Sequence, residues 1–334
     1  MSSLRAVLRD EATYDYSLSE IVGKYHQWVL DDRYMILRKV QFKDFQVRDS
    51  MKNQFLPYRL PVNTETIAVK CSKRGNDVYR SRVYRRFKDF ASLSEKLDFF
   101  NEKDRGKKKT RALWVTLTYN TKLCSFKEAW RNVGIEFNRF MARVYKNIGK
   151  VSCCRVWESF ENGHPHIHCI LLFEKKEFIV FRDGRGNFRI HEKDIFAQGW
   201  HSLVDIKAMS SLGRGFSYLK KYLLKSINSK TTDSKTLKTL ALCWLFCKRA
   251  FSVSGKFRQM LTDLIKTKHN SNHKTQQTTL DGEKVQEYVY YLLGFVPADV
   301  IRLKEDLWFT KLGNEQIKSI EQFLDLTNKF RVKF

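Results

Sequence analysis

Two apolar runs, VSCCRVWESF (151–160) and PHIHCILLF (165–173), are separated only by ENGH. Asn162-Gly163 at the reversal is a strong hairpin signal, because both residues tolerate the positive φ of a tight turn. The runs are predicted to pair as antiparallel strands, and that pairing constrains what surrounds them. Upstream, ALWVTLTYN (112–120) is β-branched and aromatic and reads as a strand. Ser125 and Glu128 in SFKE form a capping-box pattern. Behind it Phe126, Ala129, Trp130, Val133, Phe137, Phe140, Met141 and Val144 recur at helical spacing, which predicts one long helix to residue 148. Downstream, LVDIKA reads as a strand and GRGFSYLKKYLLKSI as a short, strongly basic helix. The order strand, long helix, hairpin, strand, helix between 112 and 228 predicts an antiparallel sheet with flanking helices, a ferredoxin-like variant of the α+β class.

The second hairpin strand opens on histidines: His164, His166 and His168, out of eight in the chain. Side chains alternate along a strand, so His166 and His168 point to one side and Ile167 to the other. Pro165 argues that the strand begins after His164. Two imidazoles two residues apart can hold one metal ion. A hairpin centred on Gly163 sets Glu158 opposite His168, and a shift of two residues sets it opposite His166. In either register Glu158 shares the histidine face; a slip of one residue would turn it away. Two imidazoles and a carboxylate suit manganese, zinc or another transition ion, and magnesium less naturally. A structural histidine pair beside a turn is the alternative.

In the basic helix, Tyr218 and Tyr222 are four residues apart and so lie on one face, about 6 Å apart along the axis. Lys221 sits one turn from Tyr218, and Arg214, Lys220 and Lys225 add to the basic side. Core packing would explain the two rings equally well. As a nucleophile, a phenol with a pKa near 10 needs a metal or a cation to help it near neutral pH.

The electrophile is suggested by charge. Among 334 residues, 62 Lys and Arg stand against 36 Asp and Glu, for a net +26. A surplus of this size calls for a polyanionic partner, with nucleic acid ahead of an anionic membrane surface. No apolar run is long enough to span a bilayer, and the N-terminal residues lack the apolar core of a signal peptide. The expectation is a cytoplasmic protein with no membrane partner. The seven cysteines contain no CxxC pair and call for no zinc ribbon and no oxidising compartment.

Three regions are expected along the chain. Residues 1–104 read as an accessory α+β region in which TIAVKC and DVYRSRVYRRF are strands around SKRGND and KDFASLSEKLDFF is a helix. Arg80, Arg82, Arg85 and Arg86 interleave with Tyr79, Tyr84 and Phe87 and could hold phosphates and stack bases, or could form an ordinary solvated face. NEKDRGKKKTR (101–111) reads as a linker. Residues 105–230 hold the predicted catalytic core. Residues 231–334 read as mainly helical, with a polar loop at 267–279.

Three stretches resemble one family in order. WVTLTYN is similar to the first motif of the HUH endonucleases of rolling-circle replication, and ESFENGHPHIH to the second, in which HUH is His166-Ile167-His168 here. YLKKYLLK resembles the third motif of the two-tyrosine replication initiators (Rep proteins) of phages and plasmids. The resemblance covers 112–228 and implies a mechanism. Glu158, His166 and His168 would hold a divalent ion, Mn2+ or Mg2+, against a scissile phosphate. Tyr218 or Tyr222 would attack it, leaving a 5′-phosphotyrosine link and a free 3′-hydroxyl, and would later rejoin strands. Lys221 would steady the phosphate. The implied partner is single-stranded or hairpin origin DNA. The chain has no GxxxxGK[ST] loop, so a helicase, like the polymerase, would be a separate protein.

Other readings stay open at this point. A two-tyrosine transposase or relaxase would usually carry a cysteine cluster or helicase segments, which are missing here. A metal-dependent hydrolase using activated water would not need the tyrosine helix. A DNA-binding protein without chemistry would not need the metal set.

Overall fold

The computed structural model describes residues 16–49, 54–94, 109–225, 227, 233–263, 288–303 and 307–331. It opens with α1 (Leu18–Leu30), the long strands β1 (Arg33–Asp49) and β2 (Gln54–Lys70), and α2 (Asp77–Ser94). Then come β3 (Lys109–Thr110), β4 (Ala112–Thr118), α3 (Phe126–Ile148), β5 (Val151–Ser159), β6 (Pro165–Phe173), β7 (Phe178–Arg182) and β8 (Phe188–Ile190). Next are α4 (Lys193–Ala197), β9 (Val204–Ala208), α5 (Leu212–Lys225), α6 (Ser234–Leu245) and β10 (Phe251–Val253). The last are β11 (Tyr288–Pro297), α7 (Ala298–Ile301), β12 (Phe309–Lys311) and α8 (Asn314–Arg331). The described residues fall into two compact units. One joins those up to Val29 with those of Arg74–Thr267; the other joins Leu30–Lys73 with those from Lys268 onward.

The first unit is built on a five-stranded sheet of order β10-β5-β6-β4-β9, antiparallel at every pairing. Period-2 alternation sorts its side chains cleanly. Leu113, Val115, Leu117, Cys153, Trp157, Ile167, Cys169 and Leu171 face α3 and pack on Trp130, Val133, Phe137 and Phe140. Trp114, Cys154, Val156, Ile170 and Leu172 face the other way, onto Leu212, Phe216, Leu219 and Leu223 of α5 and Phe87 of α2. Even-numbered residues of β4, β5 and β6 thus lie under the tyrosine helix. Ser125 caps α3 in a complete capping box with Glu128, as its sequence predicts. The second unit is a sheet of order β11-β1-β2-β12. One face of it, with Tyr34, Ile36, Ala68 and Val296, packs with Ile301, Leu312 and Ile320 from the α7–α8 end of the chain.

The architecture is α+β, with antiparallel sheets and flanking helices. The expected strand DVYRSRVYRRF is instead the start of α2. Its Tyr79, Val83 and Phe87 recur every four residues and pack into the core beneath α5. Asn76 accepts the Tyr79 amide at 3.0 Å, a cap that a strand would not need. The aromatic and β-branched content misled the sequence reading, and the 3.6-residue period decides. Beyond 230, strands β10, β11 and β12 stand among the helices. Residues 95–100 of the expected helix, 101–108 of the expected linker and the polar segment 267–279 lie outside the described residues.

Candidate active site

The β5–β6 register sets Glu158 opposite His166 and Val156 opposite His168. Of the two registers open in the sequence, the one shifted by two residues is observed. Gly163 takes φ +88 at the reversal, where a side chain would also press on Phe126 and Leu18. Trp130 of α3 donates from Nε1 to the Gly163 carbonyl at 2.7 Å and pins the turn to the helix. His164 stands apart from the other two histidines, its Nε2 lying 3.0 Å from the Cys124 carbonyl just ahead of α3.

Glu158, His166 and His168 each offer a ligand atom within 4.8 Å of the others, the one such grouping of three among the described residues. His168 Nε2 lies 2.9 Å from Glu158 Oε2, and His166 Nδ1 lies 3.7 Å from the same oxygen. His166 is held by Phe160, stacked on it at 4.5 Å. Both its ring nitrogens are buried without a hydrogen-bond partner. Burying two unpaired nitrogens is costly, and a cation shared with Glu158 and His168 would satisfy one of them. The donor set therefore fits a divalent metal ion.

Electrostatics favour the same state. Burial alone would raise the Glu158 carboxyl, but the His168 contact and Lys235 outweigh it and hold it down at about 2. Burial, aided by His168, lowers His166 to about 4, so its imidazole is neutral and ready to ligate near pH 7.

The tyrosine helix covers this cluster. Tyr222 lies against His168 with ring centroids 3.8 Å apart, and the Tyr218 and Tyr222 hydroxyls share a hydrogen bond of 2.8 Å. Tyr218 is exposed and Tyr222 half-buried. Burial first, then the bond to Tyr218 and the charge of Glu158, raise the Tyr222 phenol well above its ordinary value. Its deprotonation therefore needs added positive charge. Lys221, Lys225 and Arg214 are exposed on α5, while Lys220 is half-buried and reaches the Tyr84 hydroxyl at 3.4 Å. On α2, Arg82, Arg85 and Arg86 are exposed on one side of the helix, and Arg80 is half-buried.

Three further residues join the site that sequence reasoning missed. Lys235, in the first turn of α6, reaches Glu158 Oε1 at 3.3 Å; no motif surrounds it, and only tertiary packing of α6 on β5 brings it there. Trp114 stacks on His168 at 5.6 Å and meets Tyr218 edge-on at 4.8 Å. Thr116 faces His168 across the β4–β6 ladder, its Oγ1 3.3 Å from Nδ1. Strand alternation in WVTLTYN was the available signal for Trp114 and Thr116. Among the described residues no helix is long and apolar enough to cross a membrane.

A model of the family described as Replication-associated protein ORF2 matches residues 112–227, from β4 to just past α5. The match spans Glu158, His166, His168, Tyr218 and Tyr222, and it supports a replication-associated protein of the initiator type with DNA as its partner. No curated protein and no solved structure matches the chain.

Proposed function

We propose that this protein initiates rolling-circle replication by nicking single-stranded or hairpin origin DNA through a tyrosine. What supports the reading most is the meeting of Tyr222 with His168, at 3.8 Å, on the sheet face that also carries Glu158 and His166. Glu158, His166 and His168 would hold a divalent ion, Mn2+ or Mg2+. When bound, the ion polarises the scissile phosphate. With His168 Nε2 turned to the ion, its Nδ1 keeps the proton and donates it to Thr116 Oγ1, which fixes the ring. The Oη of Tyr218 or Tyr222 bonds to phosphorus and loses its proton. The P–O3′ bond breaks, its electron pair stays on O3′, and O3′ takes up a proton. The products are a 5′-phosphotyrosine and a free 3′-hydroxyl for a separate polymerase. The second tyrosine, one helical turn away, serves the later cleavage and rejoining. Lys221 steadies the phosphate, while Arg214, Lys220 and Lys225 of α5 and Arg80, Arg82, Arg85 and Arg86 of α2 hold the strand. The work is cytoplasmic, and unwinding falls to a separate helicase.

The test is a covalent adduct. The chain is incubated with single-stranded oligonucleotides and Mn2+, run on denaturing gels, and the adduct is mapped to a peptide. Phenylalanine keeps each ring and its packing and removes only the hydroxyl. Tyr218→Phe with Tyr222→Phe should leave a folded, DNA-binding protein that forms no adduct, with Tyr222→Phe the more damaging single change. Normal adduct from the double variant would sink the mechanism.

A further inference from the structure

The second unit presents a sheet face that the nicking mechanism does not use. Directly paired residues of an antiparallel sheet share a face, so the β11-β1-β2-β12 ladders define its rows. Phe295, Met35, Val69 and Phe309 form one row; Leu292, Leu37, Ile67 and Lys311 the next; Tyr290, Lys39 and Glu65 the third. The opposite face, with Tyr34, Ile36 and Ala68, is the one that packs in the core of this unit. A bulge in β11 at Leu293 keeps Phe295 in phase with Tyr290 and Leu292. Phe295, Phe309, Tyr290 and Leu292 are 54%, 58%, 54% and 55% exposed. Such rings on water are unfavourable unless something covers them.

The charges identify the occupant. Lys39 and Lys311 both reach Glu65, at 3.5 and 2.7 Å, so two cations flank one carboxylate. Lys39 also lies 4.0 Å over the Tyr288 ring. By strand alternation Arg33 continues the same face of β1. Aromatic rings set among an excess of cations suit unpaired bases and their phosphates. Duplex DNA keeps its bases stacked inside and offers nothing to these rings. A second copy of this face would bring cation against cation. Tyr290, Phe295 and Phe309 are spaced by ~14 Å, from strand spacing and rise, so each ring meets a different base.

We propose that this face binds single-stranded DNA, with Tyr290, Phe295 and Phe309 stacking on bases and Lys39, Lys311 and Arg33 along the backbone. Such a surface would hold the displaced or parental strand while the tyrosine site acts elsewhere on the chain.

The test uses the full chain in EDTA, so that binding is read without cleavage, and a labelled oligodeoxythymidine as probe. Combining Tyr290→Ala, Phe295→Ala and Phe309→Ala should weaken binding by about tenfold or more. The conservative set Tyr290→Phe, Phe295→Tyr and Phe309→Tyr should restore it. Oligodeoxythymidine carrying 5-iodouracil should photo-crosslink to the β11 and β12 peptides in the wild type. Adduct formation at the tyrosines should survive the alanine set on a short substrate, which separates failure here from failure of the nicking reading. Unchanged affinity in the alanine variant, equal loss for duplex and single strand, or conversion of a wild-type dimer to a monomer in sedimentation would each overturn the proposal.

Discussion

His166 sits with both ring nitrogens buried and unpaired, 3.7 Å from a carboxylate that already meets His168. A side chain in that position gains most from a ligand that brings positive charge. Titration with Mn2+ followed by electron paramagnetic resonance should show a single tight ion per chain, lost in His168→Ala and in Glu158→Gln. Either variant should keep its affinity for DNA, since neither residue supplies the basic surface. Retained tight Mn2+ binding in both variants would remove these residues from the metal site. A second residue-scale prediction concerns Asp183, in the turn after β7. Arg189 donates to it from Nε at 2.8 Å, and the Asn187 and Arg185 amides donate at 2.9 and 3.0 Å. The Arg189 bond first, then those amides, hold its carboxyl at about 2. A lowered folded-state pKa stabilises fully above the ordinary value near 4, and the gain disappears as pH falls through about 2. The difference in unfolding midpoint between wild type and Asp183→Asn should be constant from pH 7 to about pH 4 and vanish near pH 2. A difference that persists undiminished at pH 2 would refute the assignment.

At the scale of elements, the hairpin delivers Glu158 and both histidines to one face, and α3 fixes the hairpin. Trp130 carries that link through its bond to the Gly163 carbonyl. Trp130→Phe leaves a buried carbonyl unpaired and should cost about 1–3 kcal/mol in denaturant unfolding, with slower nicking as the turn loosens. An unchanged midpoint would mean that water replaces the indole. The same elements mark how far the sequence could be read. Glu158, His166 and His168 were legible because a period of two and an Asn-Gly turn leave few registers. The choice between His166 and His168 as the partner of Glu158 was not, since both registers bury the same faces. Tyr218 and Tyr222 were legible as one helical face, but not the sheet they cover, because that depends on which way α5 packs. Lys235 was invisible, as only the docking of α6 against β5 brings it to Glu158. Residues 79–87 were misread because Tyr, Val and Phe favour strands locally, while the spacing of Tyr79, Val83 and Phe87 obeys the helix.

At the scale of the whole molecule, the net charge of +26 is far more than the tyrosine site requires. Lys221, Lys225 and Arg214 on α5, with Arg82, Arg85 and Arg86 on α2, are all exposed in the first unit. Lys39 and Lys311 belong to the second. Charge distributed in this way means that most binding free energy comes from counterion release rather than from base contacts. The logarithm of affinity for a single strand should then fall linearly with the logarithm of salt, by roughly 0.7 for each phosphate neutralised. Combining Arg82→Ala, Arg85→Ala and Arg86→Ala should flatten that slope by about 2 if those residues contact phosphates, and should weaken binding alike on every sequence. Changing the tyrosines to phenylalanine should leave the slope untouched, because no charge is removed. Anisotropy titrations between low and physiological salt measure both quantities. A wild-type affinity indifferent to salt would show that the excess charge serves something other than DNA. An unchanged slope in the triple arginine variant would move the strand away from α2.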